Sequence, residues 1–332
     1  MNVYKGVEIP EFIEYEKPIF VNNRGFRTKK TNNYFDLSFR EASNLPKENG
    51  LITSKDIVCF VNCPVCGKAD NQQLFLKWGF KISECNRCDH TFVENQMIQS
   101  ALDKLYVESD VDKQFQIRKK QDEGLSKYWI LLYSKYLQLL RNKKINNLSL
   151  LDVGAGGGDF IELCNEMENY KLHAMEFSSN SADFLASIVG PSNLYKKEIS
   201  NSDFKGKKFG VITIWGVLEH INNPIKELQK CKEILDSEGR IVVLIPNLYS
   251  RAFKILGLMV PTLNPRSHVN FYTKKSMGIL CNEVGLEIEE YYQELPVIDL
   301  MYDYIDYNEA LVEEILNKNE SYYSVYIIRH KN

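Results

Sequence analysis

Two sets of residues in this sequence are spaced for chemistry. Cys63-Pro64-Val65-Cys66 and Cys85-Asn86-Arg87-Cys88 form two C-x2-C pairs with eighteen residues between them. Four thiolates so spaced can surround one Zn²⁺ ion tetrahedrally, each pair giving two ligands from one turn. A closed four-thiolate shell leaves no coordination position open, so its expected role is structural. The second set is Asp152-Val153-Gly154-Ala155-Gly156-Gly157-Gly158-Asp159, a glycine-rich turn directly after an apolar run. Glycines there permit positive φ and a close approach of ligand to backbone. A dinucleotide motif, G-x-G-x-x-G, would want a third glycine where Asp159 stands. An acid at that point would crowd helix against strand and repel a pyrophosphate, whereas an acidic rim suits a cationic ligand. Among five histidines, His220 and His268 follow or precede apolar segments that should end near this turn. A neutral imidazole there can act as a general base.

These groups need elements to hold them. Leu148 to Val153 is a continuous apolar run, as expected of a buried parallel strand. From there strands alternate with helices: helix Asp159–Asn169, strand Leu172–Phe177, helix Ser181–Ile188, strand Gly210–Trp215, helix Pro224–Leu235, strand Arg240–Ile245, helix Lys274–Val284 and late strands Leu286–Tyr291 and Tyr322–Arg329. Such alternation implies an α/β fold, a mostly parallel sheet covered on both faces. Earlier in the chain, Leu74-Phe75-Leu76 and Phe80-Lys81-Ile82 read as short strands around Trp78-Gly79, the outline of a zinc ribbon. Leu125, Trp129, Leu132, Tyr136 and Leu140 make one apolar helical face between them and the sheet. The expected organisation is an N-terminal extension of unassigned fold (1–56), a zinc ribbon (57–100), a helical connector (101–146) and a cofactor domain (147–332). Cys59, Cys164, Cys231 and Cys281 lack paired spacing and are expected in the core, His90 at the surface, and His173 and His330 at the periphery.

The glycine turn resembles motif I of the class I S-adenosylmethionine (SAM)-dependent methyltransferases. Val211 to Trp215 with Leu218-Glu219-His220 and Pro224 resembles that family's fourth strand and its continuation, Ile241 to Asn247 its fifth strand, and His268-Val269-Asn270-Phe271-Tyr272-Thr273 an H-x-x-F-(F/Y)-T segment of the subgroup with ubiquinone-type and sugar methyltransferases. Four matches in order, over residues 148 to 332, are more specific than one glycine motif alone. The resemblance implies a Rossmann-like seven-stranded sheet and SAM as cofactor. It implies cofactor contacts from Asp152, Gly154, Ala155, Gly156, Glu176 (to the ribose), Phe177 (to the adenine), Trp215 and Gly216. The third strand is not placed; the acid that follows it in the family and contacts the adenine amino group is expected in Lys197-Glu198-Ile199-Ser200. Either His220 or His268 is the candidate base. Glu219, Asn247, Arg251, Arg266 and Tyr272 are candidate acceptor contacts, the arginines for a nucleotide diphosphate. A ribbon ahead of such a domain also resembles the nucleotide-sugar C-methyltransferases, which implies a sugar or nucleotide-sugar acceptor, methylated at oxygen or carbon.

Composition narrows the field. The net charge is −3 and the pI about 6.1, unlike a general nucleic-acid binder. The ribbon has four Lys/Arg and four Asp/Glu, which disfavours phosphate-backbone binding. An RNA or protein methyltransferase that grips a macromolecule through the ribbon stays as the alternative, with Arg24, Arg27, Lys29 and Lys30 as its basic cluster. No run of eighteen apolar residues predicts membrane insertion, and the charged N-terminus is not a signal peptide, so a cytoplasmic protein with reduced cysteines is expected.

Overall fold

The computed structural model describes residues 2–19, 37–102, 123–177, 179–295 and 308–331. The basic cluster at Arg24 to Lys30 and residues 103–122 of the expected connector lie outside them. The chain opens with a hairpin, β1 (Asn2–Tyr4) and β2 (Val7–Ile9). Next, β3 (Val58–Phe60) pairs with β7 (Asn95–Met97). Between them, β4 (Asn71–Lys77), β5 (Phe80–Cys85) and β6 (Thr91–Val93) form the ribbon. The expected strands around Trp78-Gly79 are present. Trp78 and Gly79 have φ of 57° and 91°, the two successive positive values that a tight hairpin of matching twist requires.

A 19-residue helix, α1 (Glu123–Arg141), leads into the α/β region. There follow β8 (Ser149–Val153), α2 (Asp159–Met167), β9 (Lys171–Met175), α3 (Ser179–Val189), β10 (Leu194–Tyr195), β11 (Phe209–Trp215), α4 (Pro224–Ile234), β12 (Leu235–Pro246), α5 (Arg251–Leu256), β13 (Asn270–Phe271), α6 (Lys274–Glu283), β14 (Leu286–Glu294), α7 (Glu309–Asn317) and β15 (Tyr323–His330). The main sheet has seven strands in the order β10-β9-β8-β11-β12-β15-β14, with only β15 antiparallel to its neighbours. After β8 the chain crosses to one side, and β11 joins the other. That reversal opens a crevice at the strands' carboxyl ends, where α/β sheets bind ligands. The central strands are buried almost throughout, which explains their unbroken apolar runs.

The third strand, not placed from the sequence, is the two-residue β10, and Ile199–Asn201 is a 3₁₀ turn. Several expectations need correction. Cys59 is exposed on β3, while Cys164, Cys231 and Cys281 are buried as expected. His90 is buried, and so is His173, which lies among the rings of Tyr195 and Phe209. The ribbon is not a separate appendage. β13, from the α/β region, pairs with β6, and Cys63, Cys85, Cys88 and Phe92 share a core with Leu151, Ile214 and Tyr272.

Candidate active site

The glycine turn begins where β8 ends. The amides of Gly154 and Ala155 both donate to the Met175 carbonyl at 2.9 Å, which ties the turn to β9. Gly154 has φ +71°, and a Cβ there would lie 2.4 Å from Val217 Cγ2, so no larger residue fits without moving the segment after β11. Glu176 follows β9. Its Oε2 accepts from the Gly156 amide at 2.6 Å, which places the carboxylate against the turn. Phe177 is 62% exposed beside it, an apolar surface open to a base. Asp152 is placed differently from expectation. It lies within β8, is buried, and accepts from Thr213 Oγ1 of β11 at 2.7 Å, so it braces the two strands rather than lining the crevice.

Trp215, at the end of β11, packs in an aromatic group with Tyr133 and Tyr136 of α1 and Phe160 of α2, at centroid distances of 5.1, 5.8 and 5.4 Å. No local motif signals α1's part in this wall. A polar knot holds it: Lys135 Nζ donates to Glu294 Oε1 at 2.6 Å and to the Lys17 carbonyl, Tyr136 donates to the same carboxylate at 2.8 Å, and the Ile19 amide donates to its other oxygen. Both charged side chains have no exposure. Burial pushes the Glu294 carboxyl up and Lys135 pulls it down, with burial the larger influence. The signal for this knot was a lone Lys135 in the apolar run Tyr128 to Leu140.

Beyond Gly216 (φ +66°), a 3₁₀ turn carries Glu219 and His220. The segment before β13 carries His268. The Val269 amide donates to the Glu219 carbonyl at 2.8 Å, so the two segments are pinned together. The imidazoles of His220 and His268 meet edge to face, with centroids 4.6 Å apart. One nitrogen of each ring is committed to backbone: His268 Nδ1 to the Thr262 carbonyl at 2.7 Å, and His220 to Ser267. Among the described residues, His220 Nδ1 and Glu219 Oε2 are buried with no partner. Ligand atoms of all three side chains lie within 4.8 Å of one another. Burial dominates their titration. It lowers His220 to about 3 and His268 to about 4, and raises Glu219 to about 8. At neutral pH both rings are uncharged.

The remaining acceptor candidates are engaged elsewhere. Arg251 binds Glu320 and Glu314, and Arg266 is buried against Glu41. Asn247 caps a turn, donating to the Asn319 and Ser321 carbonyls and accepting from the Tyr249 amide. Tyr272 is buried, its hydroxyl 3.5 Å from the Leu218 carbonyl and its ring against His90. Each of these four side chains therefore has a partner within the protein. His90 bridges the ribbon to this region through Asn270 Oδ1 at 3.0 Å and Ser276 Oγ, and Asn270 in turn donates to the Ile221 carbonyl.

The four ribbon thiols form the third site. Cys63 Sγ lies 3.5 Å from Cys88 Sγ, Cys66 Sγ 3.5 Å from Cys85 Sγ, and all four fall within 4.8 Å of one another. A tetrahedral ZnS₄ centre has S···S edges of about 3.8 Å. Amides of Val65 and Cys66 point at Cys63, and those of Arg87 and Cys88 at Cys85, the outer partners that favour thiolates. The donor set fits Zn²⁺.

The fold defines a class: an α/β protein with a doubly wound sheet and a crevice at the switch between β8 and β11. Comparison with known proteins gives the family. Residues 125–291, half of the chain, match the family described as a methyltransferase domain, and the chain belongs to it. It is a SAM-dependent methyltransferase. A curated relative is the ubiquinone biosynthesis O-methyltransferase of Nitrosospira multiformis, 25% identical over 170 residues that span 45% of this chain and 67% of the relative. Among solved structures, a SAM-dependent methyltransferase from Clostridium acetobutylicum is similar with a TM-score of 0.43 and 11% identity, covering 59% of this chain and 89% of that one. An O-methyltransferase from neocarzinostatin biosynthesis, solved with S-adenosylhomocysteine and 1,4-dihydroxy-2-naphthoic acid, gives 0.46 and 14%, covering 69% and 61%. No helix among the described residues is long and apolar enough to cross a membrane.

Proposed function

We propose that this enzyme methylates a hydroxyl group of a small molecule, with Glu176 and the glycine turn holding the adenosine and the Glu219, His220 and His268 cluster facing the acceptor. The observation that carries this reading is the Glu176 carboxylate bonded to the Gly156 amide at the β8/β11 crevice. When bound, SAM supplies an electrophilic methyl group on a sulfonium. The chain's own task is then to align an acceptor oxygen in line with that methyl, which removes most of the entropic barrier. Trp215, Tyr133, Tyr136 and Phe160 wall off water on one side. His220 Nδ1, or the His268 nitrogen not bonded to Thr262, accepts the hydroxyl proton as the oxygen–methyl bond forms and the carbon–sulfur bond breaks. Burial keeps both rings uncharged at neutral pH, so each has a lone pair available to accept that proton.

A sugar hydroxyl is the acceptor class we assign, supported by the ribbon-first architecture and by an acceptor end built of hydrogen-bonding groups. A nucleotide diphosphate on that sugar has less support, because Arg251 and Arg266 are already neutralised by carboxylates. The four ribbon cysteines are assigned one structural Zn²⁺, and free thiols at that site fit a reducing cytoplasm. RNA or protein as acceptor is disfavoured by the charge-neutral ribbon. Calorimetry tests the cofactor assignment. The wild type should bind S-adenosylhomocysteine, and Glu176→Ala should weaken it by about tenfold to a hundredfold, the value of a charged hydrogen bond. Equal affinity in the variant removes Glu176 from the site, and preference for NAD⁺ overturns the assignment.

A further inference from the structure

Glu219, His220 and His268 bring ligand atoms of three side chains within 4.8 Å of one another, more than a single general base needs. Each imidazole has one nitrogen tied to a backbone carbonyl, Thr262 for His268 and Ser267 for His220. This is how proteins fix a metal-ligating histidine, since the bonded nitrogen carries the proton and the other is left with its lone pair. The partnerless atoms of His220 and Glu219 add an independent observation: both are buried, and leaving such atoms unpaired costs about 1–3 kcal/mol each unless something else satisfies them. The Glu219 side chain is only 3% exposed, so bulk water is a poor candidate for that partner.

We propose that these three side chains form a second metal centre, a two-histidine, one-carboxylate site for a divalent transition-metal cation. The donor set of two imidazole nitrogens and one carboxylate oxygen suits first-row cations and leaves positions open, unlike the closed ribbon. The ligand atoms span up to 4.8 Å. Around a cation at about 2.0–2.2 Å they would sit roughly 3–3.5 Å apart, so the side chains close by about 1–1.5 Å on binding. The backbone around them is pinned by the Val269–Glu219 and Asn270–Ile221 hydrogen bonds, which confines that closure to the side chains. The Lys77 ammonium acts on His268 but is itself held by the Leu258 and Leu263 carbonyls at 2.6 Å each. This centre rests on the acceptor placement proposed above. With a cation bound, the two rings would serve as ligands instead of bases.

The test uses the full chain with zinc in the ribbon and Co²⁺ alone as the probe, followed by visible absorption. Expected is one equivalent of Co²⁺ bound with the weak bands of nitrogen and oxygen ligation. Glu219→Gln and His268→Gln should each reduce its affinity by about tenfold or more while S-adenosylhomocysteine binding and ribbon zinc are unchanged. The inference is overturned if the folded wild type takes up no Co²⁺, if the only signal is the thiolate charge-transfer band of cobalt in the ribbon, or if Glu219→Gln and His268→Gln both bind Co²⁺ like the wild type. Methyl transfer by a protein that binds no cobalt removes the metal centre and leaves the histidine-base reading intact. Failure to bind S-adenosylhomocysteine removes the methyl-transfer site itself.

Discussion

Two buried carboxylates in this enzyme are treated in opposite ways. Glu294 is met by Lys135, the Tyr136 hydroxyl and the Ile19 amide, so both of its oxygens are satisfied. Glu219 has an oxygen with no partner among the described residues, and it sits beside a His220 nitrogen in the same condition. Burial opposes ionisation of both groups, but only Glu294 is given a cation and a full set of donors. The first cluster has nothing left to offer a ligand. It joins β14, α1 and the N-terminal arm, and so fixes the aromatic wall beside the cofactor crevice. The second holds unused lone pairs at the place proposed for the acceptor. A satisfied polar cluster builds architecture, whereas an unsatisfied one is kept at a cost and marks the chemistry.

The largest expected effect falls on the satisfied side. Lys135→Met leaves the Glu294 carboxylate buried without its cation, and unfolding by denaturant should show a loss of about 3–5 kcal/mol. Adding Glu294→Leu should recover a good part of it, since an apolar pair of similar volume needs no donors. Unchanged stability in Lys135→Met would break the contrast at its root. On the unsatisfied side the loss should appear in turnover. His220→Gln keeps a hydrogen-bonding side chain but supplies no base, so kcat should fall by about 10²–10⁴ while the denaturation midpoint moves little. A His220→Gln enzyme that turns over normally but melts early would make the cluster architectural after all.

The sequence disclosed these two clusters unequally. Glycines, paired cysteines and the Leu218-Glu219-His220 motif are local signals, and the strand-turn-helix around Gly154 and the ribbon strands lie where local patterning puts them. The β10 strand was hidden because two residues, Leu194 and Tyr195, cannot carry a period-2 pattern. Lys135 and Glu294 are 159 positions apart, and His90 and Asn270 are 180 apart. No local pattern reports that a lysine will be desolvated, or that a histidine beside a cysteine pair will be buried under the α/β region. The partners of Arg251 and Arg266 were hidden for the same reason: Glu320 and Glu41 reach them from distant parts of the chain.

His173 shows where the contrast needs a second condition. It is buried on β9, and its Nδ1 has no partner among the described residues, yet no acid or second imidazole is grouped with it. Tyr195 and Phe209 pack against its ring, and burial, helped by Lys207 and Lys171, lowers it to about 4. The unfolded chain should titrate near the ordinary 6.5. Because the folded value is depressed, the stability tied to neutral His173 is complete above pH 6.5 and is lost as the pH falls through about 4. His173→Phe keeps an aromatic ring between Tyr195 and Phe209 and has nothing to protonate. Denaturation curves of wild type and variant should therefore diverge below pH 6.5 in favour of the variant, by roughly 3 kcal/mol at the acid end. Turnover at neutral pH should be unaffected. Parallel acid unfolding of the two proteins would show that an isolated unpaired nitrogen costs nothing here, and an activity loss in His173→Phe would mean that solitary groups carry function as well. The expected result leaves grouping as the feature that separates Glu219, His220 and His268 from a buried histidine that merely destabilises.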